Sequence, residues 1–373
     1  MTTTHWGNPP WNIDFHPGRV PIPREVDFAV VGGGFTGLSA AAWLRRLEPD
    51  RGVAIFEAGA IGRGSSGRTG GLALAETAAG DLPGLGDVLS GFSAGLKDLA
   101  VECDLTLPGV WEIGRGSPLP DSPISWTDWG ALRAISQAPG GTIDPGKLVS
   151  GLGRSAERSG ALIFENTPVE DIAFEEPLRL SVAGGEVRAK AVLLATNAMS
   201  LEMSDLSTRA QPKFTLAAAT EPLSSSHIKD LGLASGIPFY TIDFPYLWGR
   251  LLRTGGVVFG SGLVHLSDWR ELAELDIATG QAAELMARLE NRVRGLHPVL
   301  KNVRFTNRWG GPILIGNGWR PVFSRHPRSA HAIVLGAYSG HGVALSSYLG
   351  RWAAEALCGR RALPHWDSTV ETA

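Results

Sequence analysis

The feature that most constrains this chain is an apolar run, Phe28-Ala-Val-Val31, that stops at Gly32-Gly-Gly34-Phe35-Thr36-Gly37 and passes directly into helix-forming sequence. A continuous hydrophobic run of this kind suits a central parallel strand covered on both faces. Gly32 permits a tight turn, Gly34 lets backbone N–H groups approach a pyrophosphate, and Gly37 allows a helix to pack closely on the strand. The segment Leu38 to Leu47, rich in Ala, Leu and Arg, ends before Pro49. A helix therefore begins where the glycines end and turns its positive dipole end toward bound phosphates.

In a chain with 48 glycines such a pattern can arise by chance, so its surroundings decide. A second apolar run, Val53-Ala-Ile-Phe56, ends at Glu57-Ala58, with Glu57 lying 20 residues beyond Gly37. An acidic residue there can accept the ribose hydroxyls of an adenosine; the alternative is a solvated carboxylate at a strand end. Gly62-Arg63-Gly-Ser-Ser66-Gly67-Arg68-Thr69-Gly70-Gly71 follows, with five glycines, two arginines and three hydroxyls in ten residues. By composition it reads equally as a flexible surface loop or as backbone brought close to a flat ligand, with Arg68 and Thr69 donating to phosphate or a ring's polar edge.

Farther on, Gly91-Phe-Ser93-Ala-Gly95 matches a nucleophile elbow in letters, but no hydrophobic strand precedes it, and a hydrolase is discounted. Asp144-Pro145 starts a helix to about Ser159. Strand-like Ala161–Phe164, Thr167–Ile172 around Val169, a hairpin at Gly184-Gly185 and Ala191–Ala195 ending at Thr196-Asn197 restore the alternation of strand and helix. Between Pro212 and Gly262 the pattern turns to β: Tyr240, Ile242, Phe244, Tyr246 and Trp248 recur every second residue, which predicts five large side chains on one sheet face. Gly255-Gly256 reads as a hairpin turn, and Trp269 to Leu296 as one long helix. The aromatic face is either ordinary core or the wall of an apolar cavity.

Ala332–Leu335 then reads as a buried strand, Gly336-Ala-Tyr-Ser-Gly340-His341-Gly342 as a glycine-rich turn, and Val343 to Leu357 as a helix. Two helix starts aimed at anions thus stand about 300 residues apart. A long ligand such as FAD, with its pyrophosphate at Gly32 to Gly37 and its flavin near Gly340 to Gly342, suits both.

Length and composition bound the rest. A chain of 373 residues suggests about two domains. A net charge of −3 gives no electrostatic case for nucleic acid. Cys103 and Cys358 form no CxxC pair, which disfavours a disulfide framework or metal site and favours a cytoplasmic location. The first 25 residues lack a secretion signal, and no stretch reaches the ~20 apolar residues that cross a bilayer. Trp6 and Trp11 in this arm are expected to pack on the chain itself, with a partner subunit as the alternative.

Taken in order, Val30–Gly37, Ser66–Gly71, Leu194–Ala198, Trp309-Gly-Gly311 and Tyr338–Val343 resemble the D-amino-acid oxidase superfamily of FAD-dependent amine oxidoreductases. The γ-glutamylputrescine oxidase-like group is the nearest in pattern, beside glycine and sarcosine oxidases. The resemblance implies a Rossmann-like α/β FAD-binding domain, discontinuous in sequence (1–85, 141–210 and 305–373), and a substrate-binding antiparallel sheet covered by helices (86–140 and 211–304). It implies that Glu57 binds ribose, that Val169 meets adenine through its backbone, and that Ser66 to Gly71 pass beside the isoalloxazine. Gly340, His341, Gly342 and Val343 then lie at the flavin's pyrimidine edge, where a helix N-terminus stabilises the negative charge of reduction. Ala58, Arg63, Ala195, Thr196 and Asn197 complete the expected cofactor contacts.

Three departures shape the expected chemistry. No Cys or His stands near Arg68 or Trp309 for covalent attachment, so FAD is expected to be non-covalent. Gly311-Pro-Ile-Leu314 occupies the place where amino-acid oxidising relatives carry a carboxylate-binding Arg, leaving Arg308 and Arg250 as substitutes. Gly262-Leu-Val-His265 has no Lys of the oxygen-activating kind, which leaves oxidase and dehydrogenase open. The expected reaction is hydride transfer from a primary or secondary amine to flavin N5, giving an imine that hydrolyses, with O2 or another acceptor taking the electrons. Tyr246, Trp248, Trp309 and His341 are the candidates for the catalytic cavity. The rival readings are a flavin-binding subunit of a hetero-oligomeric dehydrogenase and, more weakly, a nicotinamide-dependent enzyme.

Overall fold

The computed structural model describes residues 3–366. Residues 1, 2 and 367–373, at the ends of the segments assigned above to the FAD-binding domain, lie outside the described residues.

The central strand of the first sheet is Glu25–Val31, which pairs in parallel with Val53–Phe56 on one side and Gly185–Leu194 on the other. Leu162–Phe164 and Ser329–Gly336 extend the sheet, again in parallel, so strands from both ends of the chain interleave. Phe28 and Val30 face a core built by the helices Phe35–Leu47, Pro145–Arg158 and Gly342–Leu357. Ala29 and Val31 face the opposite side, covered by Ile172, Leu178 and Leu180 of an antiparallel hairpin. Burial on both faces is why this strand reads as an unbroken apolar run. The Pro145 helix starts as its sequence dictates, with the Asp144 carboxylate accepting from Lys147 N at 2.9 Å.

A second sheet has the order Phe305–Gly316, Ala210–Thr220, Val257–His265, Trp248–Leu251, Phe239–Thr241, Val110–Gly114, Ala131–Ala138 and Trp126–Thr127. Its outer face buries Phe214, Phe239 and Phe259 beneath Met286, Leu289 and Val293 of the helix Gly280–Leu296. The strand starting at Phe305 thus belongs to the second sheet, and the helix Val88–Asp98 packs Val88, Leu89, Phe92 and Leu96 into the first core. That helix contains Gly91, where a Cβ would stand 2.3 Å from the Tyr348 ring, so the elbow-like letters serve helix packing.

Two sequence expectations fail here. The alternation from Tyr240 to Trp248 is not one strand: pairing stops at Thr241 and resumes at Trp248. Pro245 has no N–H for a ladder, and the excursion closes on itself through Leu247 N to Thr241 Oγ1 at 2.8 Å. Ile242, Phe244 and Tyr246 stand exposed on it. Likewise Trp269 to Leu296 is not one helix: a short 3-10 turn, Trp269–Ala273, is separated from the helix Gly280–Leu296. Ile277 N in the break donates to His5 O of the amino-terminal arm, and Gly280 lies at φ +54.

The arm itself packs on its own chain. Trp6 Nε1 donates to Leu272 O at 3.1 Å, Trp11 Nε1 to Gly67 O at 2.7 Å, and Gly7 bridges to Trp309. Cys103 and Cys358 are both free thiols. Among the described residues no helix is long and apolar enough to cross a membrane.

Candidate active site

The loop after the first strand has the tightness its glycines predict. Gly32 lies at φ +112, and a Cβ on Gly37 would stand 1.9 Å from Gly32 O. A Cβ on Gly34 would stand 2.8 Å from Ser66 Oγ, so this position too is held close to the second glycine stretch. Phe35 N donates to Ser66 Oγ at 2.9 Å, which ties the second glycine stretch to the start of the first helix. Glu57 accepts from Gly33 N at 2.7 Å and from Gly59 N at 2.8 Å. Burial pushes this carboxyl above its ordinary range, those two donors pull it back, and the neighbouring Glu165 carboxylate adds to the rise. Glu57 O also receives Thr167 N, bringing Ala58 and Val169 to the same end.

The two helix starts that lie far apart in sequence come together. Thr36 Oγ1 and Tyr338 Oη are hydrogen-bonded at 2.7 Å, joining the first turn of the Phe35 helix to the turn before Gly342. Neither helix is closed by its own N-cap side chain, unlike those starting after Asp87 and Asp144. Ala337 and Ser339 both adopt left-handed backbone in that turn, at φ +57 and +52. The conformation is held by Ala337 N to Asn197 Oδ1 at 3.0 Å and by Gly316 N to Ser339 Oγ at 3.0 Å. His341 sits half-buried at the N-cap with Nδ1 3.5 Å from Ser339 O, and burial lowers its pKa. Beside Gly32 and Ala195, Thr196 Oγ1 is buried with no partner among the described residues.

Register brings the inner face of the second sheet together. Glu112 lies opposite Tyr240, Tyr240 opposite Trp248, Trp248 opposite Gly260, Gly260 opposite Ala217 and Ala217 opposite Trp309. Directly paired residues project to the same side, so these form one row, and the row meets the glycine stretch. A Cβ on Gly70 would lie 2.0 Å from Trp248 Cζ3, and Trp309 Nε1 donates to Arg68 O at 2.9 Å. Gly340 approaches Ile313 farther along the same strand as Trp309. Trp248 and Trp309 are therefore gathered with Gly67 to Gly71, whereas Tyr246, 44% exposed, packs at a tilt against Phe244 outside the row.

Other candidates take places the sequence did not disclose. Arg68 Nη1 donates to Trp6 O, Gly7 O and Gly310 O, and its Nε to Arg63 O, so these bonds pin the arm. Arg63 is exposed; Thr69 Oγ1 receives Gly71 N at 3.4 Å. The sequence pattern placed Tyr240 in the aromatic alternation but did not disclose its polar partners: its hydroxyl donates to Glu112 Oε1 at 2.6 Å, and Ser136 donates to the same carboxylate. These residues meet only through strand pairing, and no local motif marks them.

The model of the FAD dependent oxidoreductase family matches residues 27–356. The chain belongs to that family. It is 28% identical to the gamma-glutamylputrescine oxidoreductase of Escherichia coli, over 89% of this chain and 84% of that protein. It is 24% identical to a probable oxidoreductase of Haemophilus influenzae, over 93% of this chain and 86% of the other. Among solved structures, glycine oxidase from Geobacillus kaustophilus superposes with a TM-score of 0.71 at 18% identity, covering 91% of this chain and 96% of its own. L-proline dehydrogenase from P. horikoshii gives 0.68 at 17%, covering 92% and 96%. The cofactor of the family is FAD, and the residues present fit it: a tight glycine loop at a helix start without a side-chain cap, an acidic Glu57 at the next strand end, and an orphaned Thr196 hydroxyl beside the loop.

Proposed function

We propose that this flavoenzyme oxidises a primary or secondary amine, or an N-substituted amino acid, at the carbon beside nitrogen. The observation that carries the reading is the inner face of the second sheet, where Trp248 and Trp309 meet Gly67 to Gly71 beside the paired helix starts. When bound, FAD supplies the two-electron acceptor at flavin N5, and the imine formed hydrolyses in water. Gly32 to Gly37, with Thr196 alongside, would hold the pyrophosphate. Glu57 would accept from the ribose, and the Gly342 helix start would stabilise negative charge on the reduced flavin. Trp248 and Trp309 wall the reacting carbon, exclude water and disfavour the ammonium form, since only the neutral amine can release hydride. His341, kept neutral by burial, orients flavin or substrate from the turn.

No Cys or His stands in 62–71 or 307–313, which supports dissociable FAD. The test is anaerobic titration of purified yellow protein with amines, N-methyl amino acids and polyamine derivatives. The correct substrate bleaches the flavin, re-aeration then separates oxidase from dehydrogenase, and acid precipitation releases the flavin. A protein that takes up no FAD, or whose flavin no amine reduces, would sink the proposal.

A further inference from the structure

We propose that the amino-terminal arm is a working part of the flavin site: Trp11 is a positioning residue for the glycine stretch, and seating of the arm and binding of FAD favour one another. This rests on the reading that FAD lies against Ser66 to Gly71. The arm precedes residues 27–356, over which the chain matches its family, so it lies outside the shared residues.

Residues 5–18 cross from one half of the molecule to the other. On the side of the second sheet, His5 O accepts from Ile277 N at 3.0 Å, Asn8 N donates to Arg308 O at 3.2 Å, and Trp6 meets Phe214 edge-on at 5.4 Å. On the nucleotide side, Asp14 N donates to Ser150 Oγ at 2.8 Å and Gly18 N to Glu157 Oε1 at 2.7 Å. The channel between them is shaped to the arm. A Cβ on Gly146 would stand 2.1 Å from Asn12 O, one on Gly153 2.5 Å from Phe15 Cδ1, and one on Gly67 2.9 Å from Ile13 Cδ1. Any side chain at these places would lift the arm away.

Trp11 is where the arm meets the glycine stretch. Its Nε1 donates to Gly67 O at 2.7 Å, its ring meets Trp309 edge-on at 5.4 Å, and Arg250 Cζ lies 5.6 Å from its ring centre. Those two neighbours hold the next carbonyls along: Trp309 Nε1 donates to Arg68 O at 2.9 Å, and Arg250 Nε to Gly70 O at 2.6 Å. Three carbonyls of the stretch thus turn toward one group of three touching side chains, and Arg68 returns the grip by donating to Trp6 O and Gly7 O. A trans peptide directs its C=O and N–H to opposite sides. Fixing Arg68 O therefore turns Thr69 N–H away from the tryptophans, as a donor for a flat ligand on the other side of the stretch.

The same geometry couples the arm to the cofactor. Five of the ten residues 62–71 are glycine, and ordering such a segment costs more conformational entropy than ordering any other. The arm and the cofactor order the same segment, so whichever binds first lowers the cost for the second, and the coupling is reciprocal.

The experiment uses the full chain, wild type and Trp11→Phe, which keeps an aromatic ring and removes the N–H. Trypsin reads the seating of the arm at Arg19, exposed just beyond Gly18. Wild-type cleavage there is expected to slow at least tenfold when the apoprotein is loaded with FAD. Fluorescence titration of the apoprotein should show FAD binding at least fivefold weaker in the Phe variant. The potential of its bound flavin should also fall, because a misdirected Thr69 N–H stabilises the reduced ring less. Cleavage at Arg19 equally fast with and without FAD, or FAD affinity unchanged by Trp11→Phe, overturns the coupling. Weaker binding with an unchanged potential makes Trp11 a structural anchor and overturns the positioning role. Should Trp11→Phe fail to fold, the wild-type cleavage comparison still decides the coupling. A bound flavin that no amine reduces defeats the amine-oxidising reading alone, whereas a chain that takes up no FAD defeats both.

Discussion

Gly260→Ala tests how the inner face is assembled. Gly260 sits mid-strand opposite Trp248, and an added Cβ would lie 1.9, 2.1 and 2.4 Å from three atoms of the indole's six-membered ring. Carbon atoms rest at about 3.5–4.0 Å, so the ring must retreat by about 1.6 Å or more, taking 1.9 from 3.5. Gly70 already abuts the same ring, with its own Cβ position 2.0 Å from Cζ3. Overpacking of this kind costs about 1–3 kcal/mol. Trp248→Leu removes the ring. In that background Ala should be favourable by about 0.5–1 kcal/mol, the ordinary advantage of Ala over Gly within a strand. The sign of the same substitution therefore reverses, and the coupling between the two sites is about 1.5–4 kcal/mol. Urea midpoints of the four proteins at constant m-value measure it. Equal costs of Gly260→Ala in both backgrounds would refute the packing described, because the clash could not then be with Trp248.

Arg68→Met removes the bonds to Trp6 O, Gly7 O and Gly310 O. It should lower stability by at least ~1.5 kcal/mol, the low end for one hydrogen bond to a charged group, and expose the arm to proteolysis; unaltered midpoint and cleavage would count against it. Burial lowers the pKa of both His326 and His341 below 6.5. The unfolded chain therefore binds more protons there, and their stabilisation is complete above pH 6.5 and lost as pH falls below it. Replacing both by Asn should flatten the fall in urea midpoint from pH 7 to 5, and an unchanged slope contradicts this. Cys103 is buried, and that burial, with Asp104 and Glu102 adding, pushes its thiol to about 12. At pH 8 only about one thiol in ten thousand is ionised there; labelling of Cys103 as fast as Cys358 in the native protein would be inconsistent with that environment.

The nucleotide half was legible because its signals are local. Phe28 to Gly37, the strand ending at Glu57 and the Asp144-Pro145 helix start each reside within a few residues, and backbone sterics and capping act over that range. The aromatic alternation from Tyr240 to Trp248 misled for the complementary reason: period two describes an extended chain, but Pro245 interrupts the ladder, and the pattern carries no record of it. Tyr246 consequently lies exposed, while Trp248 remains in the row.

By itself, then, the sequence determined the glycine loop, the acidic strand end and the second glycine turn, and with them the cofactor class, because close backbone approach demands glycine wherever it occurs. Only the tertiary structure decided which side chains gather around them. Sheet register puts Glu112, Tyr240, Trp248 and Trp309 in one row, and the arm folds Trp11 beneath Arg250 and onto Gly67 O. Pairing between strands more than 100 residues apart is set by hydrogen-bond register and burial across the whole sheet, which no local spacing encodes.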